Sequence, residues 1–248
     1  MASCELTHVK RVPIDLERAR AQHRDYEQAL VEAGCRVERL PAGPEMPDAV
    51  FVEDIAIVFD ELAIITRPGA ESRRVEVPAI AAALEPHRRL TFIEPPGTLD
   101  GGDVLVTGKR VFAGVSSRTN TQAIAMMHEA LAPLGYTVCA VEVRGCLHLK
   151  SAVTSVANDL LLVNPQWIAR EAFGGFDIVE IDAAEPSAAN ALRIGETVIY
   201  PSAFPRTAER LAKRGVTLRM VDASEVAKAE GAVTCCSLVF NDMNGARA

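Results

Sequence analysis

The feature that most constrains this chain is a weak internal repeat of roughly 40–50 residues, a period that belongs to propellers and solenoids. The first copy reads VFVEDIAIV, a turn at FDE, LAIITRPG, a helix from about Val75, then RLTFIE. The second reads DGGDVLV, a turn at TGK, RVFAGVS, a helix from about Thr119, then YTVCAVE. The third reads HLKSAVTSV, a turn at AND, LLLVNP, a short helix near Trp167, then FDIVEID. The fourth reads SAANALRI, a turn at GE, TVIYPS, a helix from about Pro205, then VTLRMVD. Each copy is strand–turn–strand–helix–strand. β-branched and apolar runs mark the strands, and Gly, Asp and Asn mark the turns. Apolar residues three and four apart, such as Ile124, Met127 and Leu131, mark the helices.

A further copy is split between the ends of the sequence. TCCSLVF supplies one strand; THVKRV, a helix from about Asp15, and CRVERLP supply the rest. That helix places Leu16, Ala19, His23, Tyr26, Leu30 and Ala33 on one stripe. The expectation is a single α/β domain over residues 1–248, a ring of five pseudo-symmetric ββαβ units closed by its terminal segments. Closure would remove exposed sheet edges. The alternative is an ordinary α/β layered sandwich with coincidental periodicity.

Composition narrows the function. Of the 248 residues 49% are apolar, enough for a sizeable core, and the net charge of -7 lacks the basic footprint of a nucleic-acid binder. The opening MASCELTHVKRVPIDLERAR has no signal-peptide h-region, and no apolar run approaches the ~20 residues of a membrane span, so a cytoplasmic location without a membrane partner is expected. The six cysteines form no CxxC pair and no zinc spacing, so reduced thiols and no metal are expected.

The repeat also aligns the chemically active residues. At the start of the first strand, the successive units carry Glu53 and Asp54, Asp100 and Asp103, His148, then only Ala188, Ala189 and Asn190; the split unit carries Cys235. Pseudo-rotation would bring these positions to one axis, as a Cys–His–carboxylate constellation. Such a pocket suits a guanidinium, a planar cation whose fork of donors carboxylates complement. A thiolate on Cys235 can add to its carbon, and His148 can protonate the departing amine. Water deprotonated by the same His148 would then resolve the S-alkylthiouronium to a urea, with Asp100 keeping the imidazole protonated and oriented. A non-enzymatic binding propeller is the alternative from another class.

The segments PDAVFVEDIAIV, IITRPGAESRR, LDGGDVLVTG, SSRTN, CLHLKSAV and VTCCSLVF closely resemble the dimethylarginine dimethylaminohydrolases, a family of the amidinotransferase superfamily. The resemblance runs from about Leu40 to Phe240. It implies a five-bladed β/α propeller, or pentein. It also implies cofactor-free conversion of asymmetric dimethylarginine and monomethylarginine to citrulline and a methylamine. It assigns Cys235 as nucleophile, His148 as acid/base and Asp100 as its support. Glu53 and Asp54 are implied on the guanidinium side, Asp48 as ligand of the substrate amino group, and Arg73 and Arg118 as the clamp on the substrate carboxylate. Cys236 should face the other way, because side chains alternate along a strand. The implied partner is a small guanidino amino acid, with room for a homodimer.

Two departures stand out. The family's lid loop between first strand and first helix is expected to be missing, because THVKRVPIDLERARAQH runs almost directly from strand to helix. That favours, as an alternative, another guanidino substrate for a hydrolase or deiminase; an amidinotransferase is a more distant alternative, against which the motifs favour the hydrolase branch. Ala232 stands where a glycine is expected, a minor change if its φ is negative.

Overall fold

A computed structural model describes residues 4–241. The chain enters through helix α1 (Leu16–Glu32), which Asp15 caps by accepting a hydrogen bond from the Arg18 N–H. Each complete repeat copy then folds into its own three-stranded sheet. In the first, β1 (Ala56–Val58) is antiparallel to β2 (Leu62–Ile65), and β2 is parallel to β3 (Arg89–Phe92). The parallel pair requires a crossover, made by α2 (Val77–Leu84). The second copy repeats this with β4 (Val104–Thr107), β5 (Arg110–Val115), α3 (Thr121–Leu131) and β6 (Thr137–Glu142).

The third copy opens with a single helical turn, α4 (Leu149–Ala152). It continues through β7 (Val153–Ala157), β8 (Leu160–Val163) and β9 (Asp177–Glu180). The fourth has β10 (Leu192–Ile194), β11 (Thr197–Pro201), α5 (Pro205–Lys213) and β12 (Thr217–Val221). A short helix α6 (Ser224–Ala227) follows.

The helix expected near Trp167 is a 3-10 turn at Arg170–Phe173 instead. Asn164 sets this: its carbonyl accepts from Trp167 and its side chain from Gln166, closing a turn around Pro165. Helix α2 starts later than Val75, because a 3-10 turn over Glu71–Glu76 leads into it and Pro78 occupies its first turn. On α1 the predicted stripe holds for Ala19, Tyr26 and Leu30, but Leu16 is 43% exposed.

The split copy departs most from expectation. Among the described residues, none of its three anticipated strands forms. The segment before α1 is drawn elsewhere: the Glu230 carboxylate accepts hydrogen bonds from the N–H groups of Thr7, His8 and Val9. In every complete copy the strand preceding the long connection lies at the centre of its sheet. Without that central strand, residues 36–40 and 237–239 have nothing between them to pair with. They make no main-chain hydrogen bond among the described residues, and they flank a cavity of about 760 Å³ between α1 and α2. TCCS itself is a turn, closed by Cys235 N–H to the Ala232 carbonyl at 3.2 Å.

Neighbouring units share cores. Leu62 and Ile64 pack with Val111 and Met127; Phe112 and Val141 with Leu161 and Val163; Leu162 and Val179 with Val198 and Tyr200. Ile199 and Val221 pack against Tyr26 and Leu30 of α1, and Phe51 packs with Val226 and Ala229. These shared cores fix each unit's orientation on the next.

Candidate active site

The matched repeat positions do converge. Glu53 and Asp54 lie in a 3-10 turn (Val52–Ile55) leading into β1. Asp100 and Asp103 bracket the turn leading into β4, and His148 precedes α4. Two glycines permit the approach. A Cβ on Gly101 would stand 2.0 Å from the Glu53 carbonyl oxygen. One on Gly102 would stand 2.5 Å from His148 Nδ1 and 2.8 Å from Asp54 Oδ1.

His148 is buried between carboxylates. Its Nε2 faces Asp100 Oδ2 at 3.2 Å, and its Nδ1 lies 3.7 Å from Asp54 Oδ1. Gly69 N–H donates to the other oxygen of Asp100 at 2.9 Å and so fixes that carboxylate. Asp103 accepts from the Leu149 N–H and from the hydroxyls of Ser116 and Thr119, which seats the turn that carries His148. Burial alone would favour neutral imidazole. Asp54, Asp100 and Asp103 outweigh it and push His148 up to about 9, so the ring is an imidazolium at neutral pH.

Cys235 lines the same cavity as Asp54, Asp100 and His148. Its thiol is pushed well up by burial, then by the charges of Glu53 and Asp54. In the empty site it is therefore a thiol, and it needs a cation beside it to ionise. Cys236 lines the outer cavity against α1 instead, as expected, although the cause is the turn at TCCS and not strand alternation. Ala232 is absent from the positive-φ residues, so its replacement of glycine is unstrained.

The remaining predicted residues divide. Asp48, Asp54, Arg73 and Arg118 line the cavity; Glu53 does not. The Glu53 carboxylate is held by Lys150 Nζ at 2.5 Å and by the Thr234 hydroxyl at 2.8 Å. Arg73 is buried and heavily engaged. Nε and Nη2 bind Glu76, Nη1 binds Asp54, and Nη2 also reaches the carbonyls of Asp48 and Phe51. Against its burial, Asp54 and Glu76 hold its pKa up. Of its five N–H donors, one Nη1 hydrogen is left for a ligand. Asp48 accepts from the Glu5 N–H, and burial pushes its carboxyl upward.

Where the family's lid loop was expected to be missing, only residues 13–15 separate THVKRV from α1. Residues 5–9 instead border the site: Glu5 reaches Asp48 and Ser72, Arg118 donates to the Thr7 hydroxyl, and Glu230 gathers three successive N–H groups. THVKRV alternates like a strand, which hid this placement. The cavity is about 30 Å³, the space of roughly one water molecule.

Thr234, Glu76 and Glu230 were not placed in the site on sequence grounds. The repeat put Asp103 and Asn190 at matched positions without assigning either an individual role. Ligand atoms of Asp54, Asp100 and His148 lie within 4.8 Å of one another, close enough for a cation. Protein groups already engage each of them, Gly69, Gly102 and Arg73 on the carboxylates and Asp100 on the imidazole.

The model of the family described as "N,N dimethylarginine dimethylhydrolase, eukaryotic" matches residues 7–236. The N(G),N(G)-dimethylarginine dimethylaminohydrolase of Pseudomonas aeruginosa is 36% identical over 228 residues, covering 91% of this chain and 90% of that one. The enzyme of the same name from Streptomyces coelicolor is 37% identical over 244 residues, covering 96% and 92%. Among solved structures, a cysteine-to-serine variant of the P. aeruginosa protein with citrulline superposes with a TM-score of 0.91 at 35% identity, covering 95% of this chain and 93% of that one. A dimethylarginine dimethylaminohydrolase carrying a histidine-to-glycine change, in an adduct with S-methyl-L-thiocitrulline, gives the same TM-score and coverage. The four-sheet α/β fold is thus the fold of those structures.

Proposed function

The chain belongs to the N,N-dimethylarginine dimethylhydrolase family, and from that premise we propose that it hydrolyses N-ω-methylated arginines to citrulline and a methylamine through a covalent adduct on Cys235. The observation that carries this is the shared cavity of Cys235, Asp54 and the Asp100-held imidazolium of His148.

The substrate guanidinium settles against Asp54, the one guanidinium-side acid whose carboxylate lines the cavity. Its positive charge offsets the acids that keep Cys235 protonated, so the thiol ionises when substrate is present. The thiolate adds to the guanidinium carbon, and the C–N bond to the methylated nitrogen breaks as His148 gives that nitrogen its proton. The S-alkylthiouronium remains. His148, now neutral, takes a proton from water; the hydroxide adds to the same carbon, and as the C–S bond breaks the new hydroxyl's proton passes to the departing sulfur, releasing citrulline and the resting thiol. Asp100 on Nε2 leaves Nδ1, on the Asp54 side, as the working nitrogen.

At the other end, Arg118 and the remaining Nη1 hydrogen of Arg73 take the substrate carboxylate, and Asp48 takes the amino group. Glu53 acts indirectly, through Lys150 and Thr234. The short connection between THVKRV and α1 keeps another guanidino compound as the alternative substrate. The fold reading is a single domain in which the four sheets and the α1 sector form a five-part ring. The six free thiols suit a reducing, cytoplasmic compartment.

A substrate panel tests the function: asymmetric dimethylarginine, monomethylarginine, arginine, agmatine and free guanidine, assayed for ureido product and released amine. Turnover of the methylated arginines ahead of the others is expected. Turnover of none of them contradicts the enzymatic reading, and preference for arginine or agmatine contradicts the substrate.

A further inference from the structure

A buried polar network behind Cys235 does none of the chemistry above. Glu53 stands at its centre. One carboxylate oxygen accepts from Lys150 Nζ, the other from the Thr234 hydroxyl, and the Glu53 main-chain N–H donates to the Cys235 carbonyl at 3.2 Å. Asn190 completes the circuit. Its Nδ2 donates to the Lys150 carbonyl and to Thr234 Oγ1, both at 3.0 Å, and its Oδ1 accepts from the Thr234 N–H at 3.1 Å. Glu53, Asn190 and Thr234 are 7%, 3% and 4% exposed, so the bonds among them are shielded from bulk water, while Lys150 is half-buried.

The members come from four different units of the molecule, and all of them hold the two residues Thr234 and Cys235. Outside the network, the Tyr26 hydroxyl holds the flanks of that segment at the Val233 carbonyl and Ser237 Oγ. The segment is a turn rather than a strand, and residues 237–239 beyond it have no main-chain partner among the described residues. Lys150 follows the acid/base His148 by two positions, so the network also ties the nucleophile to the segment that carries the acid.

We propose that Lys150 and Asn190 are positioning residues for the nucleophile: through Glu53 and Thr234 they set where Cys235 stands relative to His148 and the substrate carbon. Neither lines the cavity, so neither contributes substrate contacts. Lys150 balances the Glu53 charge and fixes its carboxylate; Asn190 satisfies both the N–H and the hydroxyl oxygen of Thr234. The proposal rests on Cys235 being the nucleophile, as proposed above.

The test compares wild type with Asn190→Ala, Lys150→Met, Thr234→Val and Thr234→Ser, after circular dichroism and melting confirm folding. Two quantities are read: steady-state kinetics on asymmetric dimethylarginine, and the iodoacetamide alkylation rate of Cys235 resolved by peptide mass spectrometry. Displacing a reacting group by about 1 Å costs on the order of 10²-fold, so the first three variants should lose roughly 10- to 100-fold in kcat with KM held within about threefold. Cys235 alkylation should change in the same three variants. Thr234→Ser, which keeps the hydroxyl, should restore most of the loss.

Folded Asn190→Ala and Lys150→Met enzymes with wild-type kcat and alkylation would overturn the proposal. So would a Thr234→Val enzyme that matches Thr234→Ser. Should the first two variants fail to fold, the Thr234 pair decides the matter, because it differs mainly in one hydroxyl. If wild type turns over no methylated arginine, the substrate reading fails while the alkylation rates still report on positioning.

Discussion

His148 shows most clearly how single residues set the chemistry. Desolvation and three carboxylates pull its charge in opposite directions, and the carboxylates prevail. A proton held up to about 9 makes His148 ready to act as an acid before substrate arrives. The reaction should therefore fail on the alkaline side as pH rises through about 9, where the imidazolium is lost. The linkage has the same sign for stability. A His raised from its ordinary value of about 6.5 stabilises the fold fully below that value and loses the contribution as pH rises through the folded value. Asp100→Asn removes a charge and the acceptor on Nε2. Its kcat should fall about 10²-fold or more, with the alkaline limb moved to lower pH; a limb that stays in place in a pH–rate profile would contradict the assigned role of Asp100. Most of this was legible in sequence, because His148, Asp100 and Cys235 fall at matched repeat positions. The different fates of Glu53 and Asp54 were not. Adjacent acids look alike in a sequence, and only the turn into β1 sends one carboxylate to the cavity and the other to Lys150.

At the scale of elements, the complete copies were readable because each carries its own strand and turn chemistry. The segment THVKRV was not. Its alternation favours a strand, but Glu230, more than two hundred positions away, captures its main chain, and no local pattern encodes a contact of that range. Glu230 itself sits at a φ of 59°, in the left-handed region, beside Gly231. That conformation is uncommon for a non-glycine residue and is kept where surrounding contacts over-determine it. Hydrogen bonds to a charged group contribute about 1.5–3 kcal/mol against about 1 for neutral ones, so Glu230→Gln should weaken the latch by roughly 1 kcal/mol or more. Hydrogen exchange at residues 5–9 should then accelerate by about tenfold while the sheets keep their protection. Unchanged exchange in that segment would show that Glu230 does not hold it.

For the whole molecule, shared cores between successive units argue against independently folding repeats. Leu162 of the third copy packs with Tyr200 of the fourth, and Ile199 of the fourth with Tyr26 of α1. Loss of one unit therefore exposes the flank of the next. The only tryptophan, Trp167, reports on the third copy, while far-UV circular dichroism reports on all of them. Their denaturant transitions should coincide, as expected for one cooperative unit; separated midpoints would reveal subdomains. The four three-stranded units were legible from the repeat, while the split sector was not, because a strand forms only where a neighbour is available to pair with it. At this scale the central claim is that units distant in sequence assemble one covalent catalyst around Cys235. Rapid acid quenching of the enzyme during turnover of asymmetric dimethylarginine, followed by peptide mass spectrometry, tests it most directly. The account predicts an adduct on the Cys235 peptide, equal in mass to substrate less dimethylamine, that is absent in Cys235→Ser along with citrulline formation. Citrulline formed at full rate without any adduct, and undiminished in Cys235→Ser, would contradict it.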